Sequence, residues 1–261
     1  HGARAMKNNM NALTKGRVTG LALLILLSAG SDKPAQAQIA KNCWQNFKVG
    51  TTVKVEKTLT EQGKLEWSDK GSYKLVKKDA NYSLVEYAAA SGQRDKQNHY
   101  SGTSVRRSPL VSSTPQTKIK EEPLVIGNKR ILCIVYEELE TSIPMCGNDV
   151  LSRSVREILT WEDKSNGKKL RQLVTQTDYP RYERQKPRVR LPEEWRVNDL
   201  AVPITIGSRT YLCDVEEWLS PLNSASSLRW TTMEIPTGYA KTIEKRGPKE
   251  VTELVVEVQE K

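Results

Sequence analysis

Four cysteines carry the thiols of this 261-residue chain: Cys43, Cys133, Cys146 and Cys213. A catalytic thiol needs a nearby base, and beyond the first residue the sequence offers one histidine, His99, in a polar stretch. We therefore expect no thiol catalysis, and without a Cys-x-x-Cys pair we expect no zinc site. Two interpretations stay open. One is a pair of disulfides, Cys133 with Cys213 and Cys43 with Cys146, and the other is buried free thiols that pack as small hydrophobes.

Carboxylates are the next candidates for chemistry, because glycoside hydrolysis uses two of them facing each other across a cleft. Two adjacent pairs occur, Glu137-Glu138 and Glu216-Glu217, in a chain with 41 lysines and arginines. Surface ion pairs are the simpler expectation for such residues. The sequence thus predicts a protein that is not an enzyme and that holds no metal and no cofactor.

The acidic pairs lie at the ends of a stretch that occurs twice without a gap, at 126–137 and at 206–217. Period-two alternation places the cysteine and the following valine of each copy on one strand face. Gly127 and Gly207 are expected to form the turns that enter these strands, because no helix follows to make a phosphate loop. Six positions are identical: Ile126/Ile206, Gly127/Gly207, Leu132/Leu212, Cys133/Cys213, Val135/Val215 and Glu137/Glu217. The chain is therefore built by internal duplication.

Alternating apolar residues and closely spaced turn residues predict a mainly β protein. Three related antiparallel meanders with about eleven strands are expected, in one curved sheet or half-barrel. In the first meander, Asp69-Lys70-Gly71 is predicted to be a turn. The expected segments are 43–95 (first unit), 96–120 (linker or long loop), 121–178 (second unit), 179–197 (basic linker) and 198–261 (third unit).

One tryptophan is assigned to each unit: Trp67, Trp161 and Trp230. Two interpretations are open for them. They pack as cross-strand anchors of the sheet, or they line a groove for a sugar or a lipid. A Trp-Glu-Asp-Lys sequence at Trp161 and a Trp-Ser-Asp-Lys sequence at Trp67 suggest equivalent positions in two meanders.

The amino-terminal segment has the pattern of a secretory signal peptide. Basic residues precede an apolar run at 21–27, and Ala35-Gln36-Ala37 follows as a cleavage site. The run is too short for a stable membrane anchor, which needs about 20 residues. Residues 1–37 are therefore predicted to be removed, and the protein is expected in the periplasm or secreted, where disulfides can form.

The remaining chain stays basic, and a dense group of cations among prolines is the expected contact for anionic surfaces. This group comprises Arg181, Arg184, Lys186, Arg188 and Arg190. The expected partners are an envelope polyanion, a lipid or a glycan, or another surface protein. Nucleic acid is not expected, because an exported protein meets little of it and few aromatic residues accompany the cations.

The third unit contains Trp230, then Glu234-Ile235-Pro236-Thr237-Gly238, then Lys241. This pattern resembles a group of uncharacterised exported bacterial repeat proteins with a Trp…Ile/Val-Pro-x-Gly…Lys signature, over about sixty residues. The meander is also similar in architecture to periplasmic lipoprotein-carrier half-barrels, which implies a surface for acyl chains. The leading hypothesis is an exported, non-enzymatic binding protein for an amphiphilic or anionic envelope component. The alternative is a structural or interaction module of a cell-surface or extracellular assembly.

A first prediction concerns export. The protein isolated from its own cells should begin near residue 38, because signal peptidase cuts after the small-x-small pattern that ends at Ala37. Amino-terminal sequencing or intact-mass measurement reads the start directly. A chain that still begins at or before Leu21 would contradict the prediction.

Overall fold

The computed structural model describes residues 42–80, 82–100, 111–142, 145–146, 149–150, 152–180, 186–221 and 224–261. The predicted signal peptide lies outside these residues. A short 3-10 helix, Cys43–Asn46, precedes the first strand. All described strand pairs are antiparallel, which confirms the predicted fold class.

Seventeen strands occur in the described part of the chain, more than the eleven expected. They are β1 Thr52–Glu61, β2 Lys64–Lys78, β3 Tyr82–Ala89, β4 Arg94–Tyr100, β5 Val111–Ser113, β6 Thr117–Ile126, β7 Lys129–Ser142, β8 Met145–Cys146, β9 Asp149–Val150, β10 Ser152–Asp163, β11 Lys169–Pro180, β12 Arg188–Val189, β13 Glu193–Ile206, β14 Arg209–Ser220, β15 Ala225–Thr231, β16 Tyr239–Arg246 and β17 Lys249–Gln259.

One sheet contains fifteen of these strands and joins all three predicted units. Its order is β4-β3-β2-β1-β17-β16-β15-β14-β13-β11-β10-β7-β5, with β12 beside β11 and β6 beside β7. Strands β8 and β9 form a separate hairpin. Strand β17, the last of the chain, pairs with β1, so the first and third units are neighbours in the sheet.

The duplicated stretch forms the same hairpin twice, β6–β7 and β13–β14. Gly127 and Gly207 each occupy the first position of a two-residue turn with φ of 54° and 60°. A positive φ at that position is the requirement of a type II′ turn, which glycine meets without strain. The prediction that these glycines form the turns is confirmed.

The sheet curls so that distant strands share a core. The Gly127 amide donates to the Asn198 carbonyl at 3.0 Å, which brings the β6–β7 turn onto β13. A second core joins β13 and β14 to β1, β2, β3 and β17. Its buried members include Val53, Leu75, Ile206, Cys213 and Val255, and the 3-10 helix adds Trp44. Each duplicated hairpin thus has its own core cluster.

The first meander differs from the prediction at Gly71. Asp69-Lys70-Gly71 is not a turn, because β2 continues from Lys64 to Lys78. A Cβ atom at Gly71 would lie 2.6 Å from the ring of Tyr87, so the glycine makes room for an aromatic ring on the neighbouring strand. Glycine inside a strand commonly marks such a close approach.

The predicted linkers also contain sheet structure. In the segment 96–120, the described residues belong largely to β4, β5 and the start of β6. In the segment 179–197, β12 pairs with β11, and β13 already begins at Glu193. The linkers were predicted from their polar composition. Strands at the edge of a sheet, or exposed on both faces, are polar as well.

The duplication extends further than the identical residues. Trp161 is directly opposite Val135 and Arg171, and Trp230 is directly opposite Val215 and Lys241. The cation lies over the indole in both copies, at 4.7 Å and 4.9 Å from the ring centroid. Trp67 is not equivalent, since it follows the turn of its hairpin whereas Trp161 precedes it.

A second prediction tests the inward face of the duplicated strands. Val135→Asp and Val215→Asp should each unfold the protein or lower its unfolding free energy by about 4 kcal/mol or more, because a buried carboxylate without a partner loses its hydration. Val135 is fully buried and Val215 is 8% exposed. Urea titration measures the change.

The matched controls are Leu132→Asp and Leu212→Asp, at exposed positions of the same two strands. These changes should shift stability far less, because the carboxylate keeps its water. Equal losses at buried and exposed positions would contradict the assigned register.

Candidate functional site

A line of side chains crosses ten strands of the sheet in direct cross-strand register. Each member is opposite the next, and opposed residues share one face. We call this line the cross-sheet row. Its members are Trp67, Leu59, Val251, Glu244, Ser227, Trp218, Trp195, Gln172, Thr160 and Tyr136.

Much of the row is apolar or aromatic and remains partly accessible. Trp67 is 41% exposed, while Leu59, Val251, Trp218 and Tyr136 are half-buried. Trp195 is buried against Trp218 at the centre of the sheet. In the described residues, no helix packs along this face, since the single 3-10 helix lies by the core of β1 and β3. The row is therefore an apolar and partly accessible track at its Trp67, Leu59 and Val251 end, whereas Thr160 and Trp195 further along are buried.

Next to the apolar end of the row lies a lysine–tyrosine cluster, formed by Lys57, Tyr73, Tyr87, Tyr239 and Glu253. The Lys57 ammonium donates to the Tyr73 hydroxyl at 3.0 Å and is 3.0 Å from a Glu253 carboxylate oxygen. It also lies 4.6 Å from the centroid of the Tyr87 ring. The Tyr239 hydroxyl donates to the other Glu253 oxygen at 2.6 Å. The polar groups of this half-buried cluster thus bond one another.

The protonation states in the cluster follow from this geometry. Burial alone would lower the pKa of Lys57, but the Glu253 charge and Tyr73 outweigh it and hold that pKa above its usual value. Burial raises the pKa of Tyr73 to about 12, and burial also raises the pKa of Tyr87 and Tyr239. Near neutral pH the lysine is charged and the tyrosines are protonated, so these four side chains do not act as general bases.

The two carboxylates of the third unit that the sequence analysis considered, Glu216 and Glu217, both accept hydrogen bonds. Glu217 accepts from Arg196 at 2.6 Å and from Asn198 at 3.0 Å. Burial alone would raise the pKa of Glu217, but these two partners outweigh it and lower that pKa. Glu216 accepts from the indole of Trp195 and from the Thr231 hydroxyl. Both carboxylates thus bond to side chains of neighbouring strands.

The three tryptophans weighed as groove residues do not line one groove. Trp161 is 5% exposed inside the core cluster of the second unit. Trp230 packs against the other cluster, and Trp67 belongs to the cross-sheet row. Sequence reasoning missed Trp195 and Trp218, although the alternation around them was visible, because Trp195 fell inside the predicted basic linker.

At the duplicated positions, the cysteines are buried free thiols and not a disulfide. Cys133 and Cys213 are free thiols, fully buried, in different core clusters. Burial raises the pKa of Cys133, and raises that of Cys213 to about 11. The Cys133–Cys213 disulfide is wrong because four strand spacings of about 4.8 Å separate β7 from β14. Cys43 donates to the sulfur of Met233 at 3.4 Å, and its pairing with Cys146 stays a prediction.

The basic segment is only partly described, since Arg181 and Arg184 lie outside the described residues. Lys186 and Arg188 are exposed. Arg190 is half-buried and forms an ion pair with Asp178 at 2.6 Å. Of the described members, Lys186 and Arg188 are therefore the ones displayed to solvent.

Neither a helical membrane span nor a metal-ligand cluster occurs in the described residues. No helix in them combines the length and the hydropathy of a membrane span. No group of three histidine, cysteine or carboxylate side chains in them is arranged to hold a metal ion.

Comparisons with known proteins give little guidance. No family model matches the chain, and no curated protein matches it. Among solved structures, a DUF1329 family protein from Desulfovibrio piger is similar over 85% of this chain and 90% of that one. The sequence identity is 10% and the TM-score is 0.29, so this likeness carries no argument.

A third prediction follows from the lysine–tyrosine cluster. The pKa values of Lys57 and Tyr73 are higher in the folded chain than in the unfolded chain, so the stabilisation is complete below about pH 10 and is lost as pH rises through the folded values. Tyr73→Phe should lower stability at neutral pH and make the alkaline decline shallower. Urea unfolding at a series of pH values measures both effects.

The matched control is Tyr179→Phe, at an exposed tyrosine outside the cluster. Its alkaline profile should follow that of the unsubstituted protein. If Tyr73→Phe declines as steeply as the control, the cluster does not govern alkaline stability.

Proposed function

We propose that this protein is an exported, non-enzymatic binding protein for an amphiphilic envelope component. The Trp67 end of the cross-sheet row carries the proposal, because it presents neighbouring apolar and aromatic side chains that remain partly accessible. Apolar sites with few polar groups are typical of binding pockets for such ligands. An acyl or similar apolar chain would lie along the row near Trp67, Leu59 and Val251.

The charges beside the row support an uncharged ligand segment at this place. Lys57 is paired with Glu253, and Arg229 is paired with Glu244 at 3.4 Å. Asp69 accepts from the Ser91 hydroxyl at 2.7 Å. A free carboxylate or phosphate laid on this track would therefore meet cations that are already neutralised. The charged group of an anionic amphiphile would have to lie elsewhere.

Export to the periplasm or the cell exterior is part of the proposal. It is supported by the signal-peptide pattern of the first 37 residues and by the basic composition, which suits anionic envelope polymers and lipids. Binding without catalysis is supported by the lysine–tyrosine cluster, whose lysine and three tyrosines hold their protons near neutral pH.

A second candidate function, a structural or interaction module, is favoured by one repeated feature. Leu132 and Leu212 are equivalent and are 46% and 58% exposed. Each is opposite a proline, Pro123 and Pro203. Two equivalent exposed leucines would suit a partner protein with two matching contacts.

A fourth prediction separates the two candidates. Native mass spectrometry of protein from its own envelope should show a co-purified lipid-sized mass rather than a stoichiometric protein partner. A fluorescent long-chain fatty acid should bind the purified protein, and Trp67→Ser should weaken that binding about tenfold, because contact with an indole removes a large apolar area from water.

The matched control is Leu212→Ser, at an exposed apolar position away from the row. It should leave the affinity for the fatty acid unchanged. A protein that binds no fatty acid and carries no small molecule, but retains a protein partner that Leu212→Ser releases, would replace the first candidate with the second.

A further inference from the structure

We propose that one end of the sheet, formed by the β1–β2 and β16–β17 turns, is a docking surface for a bilayer that contains anionic phospholipids. The surface consists of the cations Lys64, Arg246 and Lys249 and the exposed apolar side chains Leu65 and Trp67. We call it the basic rim. This inference is independent of the ligand proposed for the cross-sheet row.

A backbone hydrogen bond joins the two turns of the rim, and a second one anchors the β16–β17 turn. The Gln62 amide of the β1–β2 turn donates to the Pro248 carbonyl of the β16–β17 turn at 3.0 Å. The Gly247 amide donates to the carbonyl of Ser224, the residue before β15, at 3.3 Å. Both turns are two residues long, which limits their motion. The cations of the rim therefore project from a fixed frame.

The rim concentrates positive charge that the fold does not use. Arg246 is directly opposite Lys249, and like charges in that position destabilise a sheet. Lys249 and Lys64 flank Glu61, the acid of this line. The neighbouring Lys245 is paired with Glu250 at 3.0 Å, but no ion pair of the described residues includes the three rim cations. All three are exposed.

The exposed apolar side chains of the basic rim distinguish between the possible anionic partners. Leu65 is 65% exposed and Trp67 is 41% exposed. Leu65 is opposite Thr60 and Trp67 is opposite Leu59, so the two side chains flank the hairpin end on its two faces, with the exposed Glu66 between them. An anionic glycan would engage the cations but leave Leu65 in water. A bilayer surface accepts both, because cations meet lipid phosphates while leucine and tryptophan enter the interface. The combination therefore favours a lipid surface.

The basic segment before β13 adds to the same field. Strands β11, β16 and β1 run in one direction, since an even number of antiparallel steps separates them. Exposed Arg188, which begins β12 beside the end of β11, thus lies at the same end of the sheet as the rim, and exposed Lys186 precedes it.

Vesicle sedimentation of the full chain tests the inference, with phosphatidylglycerol vesicles and phosphatidylcholine vesicles. The triple variant Lys64→Gln, Arg246→Gln and Lys249→Gln should weaken binding to phosphatidylglycerol about a hundredfold, since each basic residue near an anionic surface contributes about 1 kcal/mol. Leu65→Ser should weaken it about tenfold. Added salt should reduce the binding of the unsubstituted protein.

The matched control is the triple variant Lys74→Gln, Lys129→Gln and Arg130→Gln, which removes the same charge from exposed positions elsewhere. It should bind nearly as well as the unsubstituted protein, and Leu212→Ser is the control for Leu65→Ser. Melting temperatures of all variants should stay close to that of the unsubstituted protein, and the rim triple variant should still bind the fatty acid. A rim variant that still binds the fatty acid but no longer binds vesicles has lost only the docking surface.

Three results would overturn the inference. The control triple variant could lose as much binding as the rim variant, which would mean that the charge acts diffusely. Phosphatidylcholine could bind as well as phosphatidylglycerol. The protein could bind a soluble anionic polysaccharide through the rim cations without binding vesicles, which would assign the rim to a glycan.

Discussion

Cross-strand hydrogen bonding in a fixed register is the constraint on which the rest of this structure depends. A strand shifted by one residue turns each of its side chains to the other face. The chain sets its register with two-residue turns, at Gly127 and Gly207 in the duplicated hairpins and at Gly63 and Gly247 near the basic rim. The cross-sheet row exists because these local registers agree over ten strands.

Curvature is the second consequence of local sequence. Extra residues interrupt the pairing at equivalent places, with Leu170 added opposite Trp161–Glu162 and Ala240 added opposite Trp230–Thr231. Such bulges increase twist and bend the strand that carries them. Both extra residues are fully buried. A sheet with few helices needs this bending, because curling is then its main way to bury apolar surface.

Features that depend on neighbouring residues in the chain could be predicted from the sequence. Features that depend on contacts between distant strands could not. The glycine turns follow from turn chemistry, and the burial of Cys133 and Cys213 follows from the alternation of apolar residues along the strands. Gly71 could not be assigned, because its role depends on the ring of Tyr87 sixteen positions later. The Trp195–Trp218 contact and the Lys57–Glu253 pair also require a register between segments far apart in the chain.

The distribution of charge separates two surfaces on one sheet. Along the cross-sheet row, cations stand next to carboxylates, so the energetic effect of each charge is largely cancelled locally. At the basic rim, three exposed cations lack such partners among the described residues, and Trp67 belongs to both surfaces. An amphiphile has the same division, with an apolar chain and a charged head. A bilayer docked at the rim would place lipid head groups beside the cations and the start of the apolar track beside the lipid chains. The two surfaces are therefore compatible with one ligand path, in which Trp67 marks the entrance.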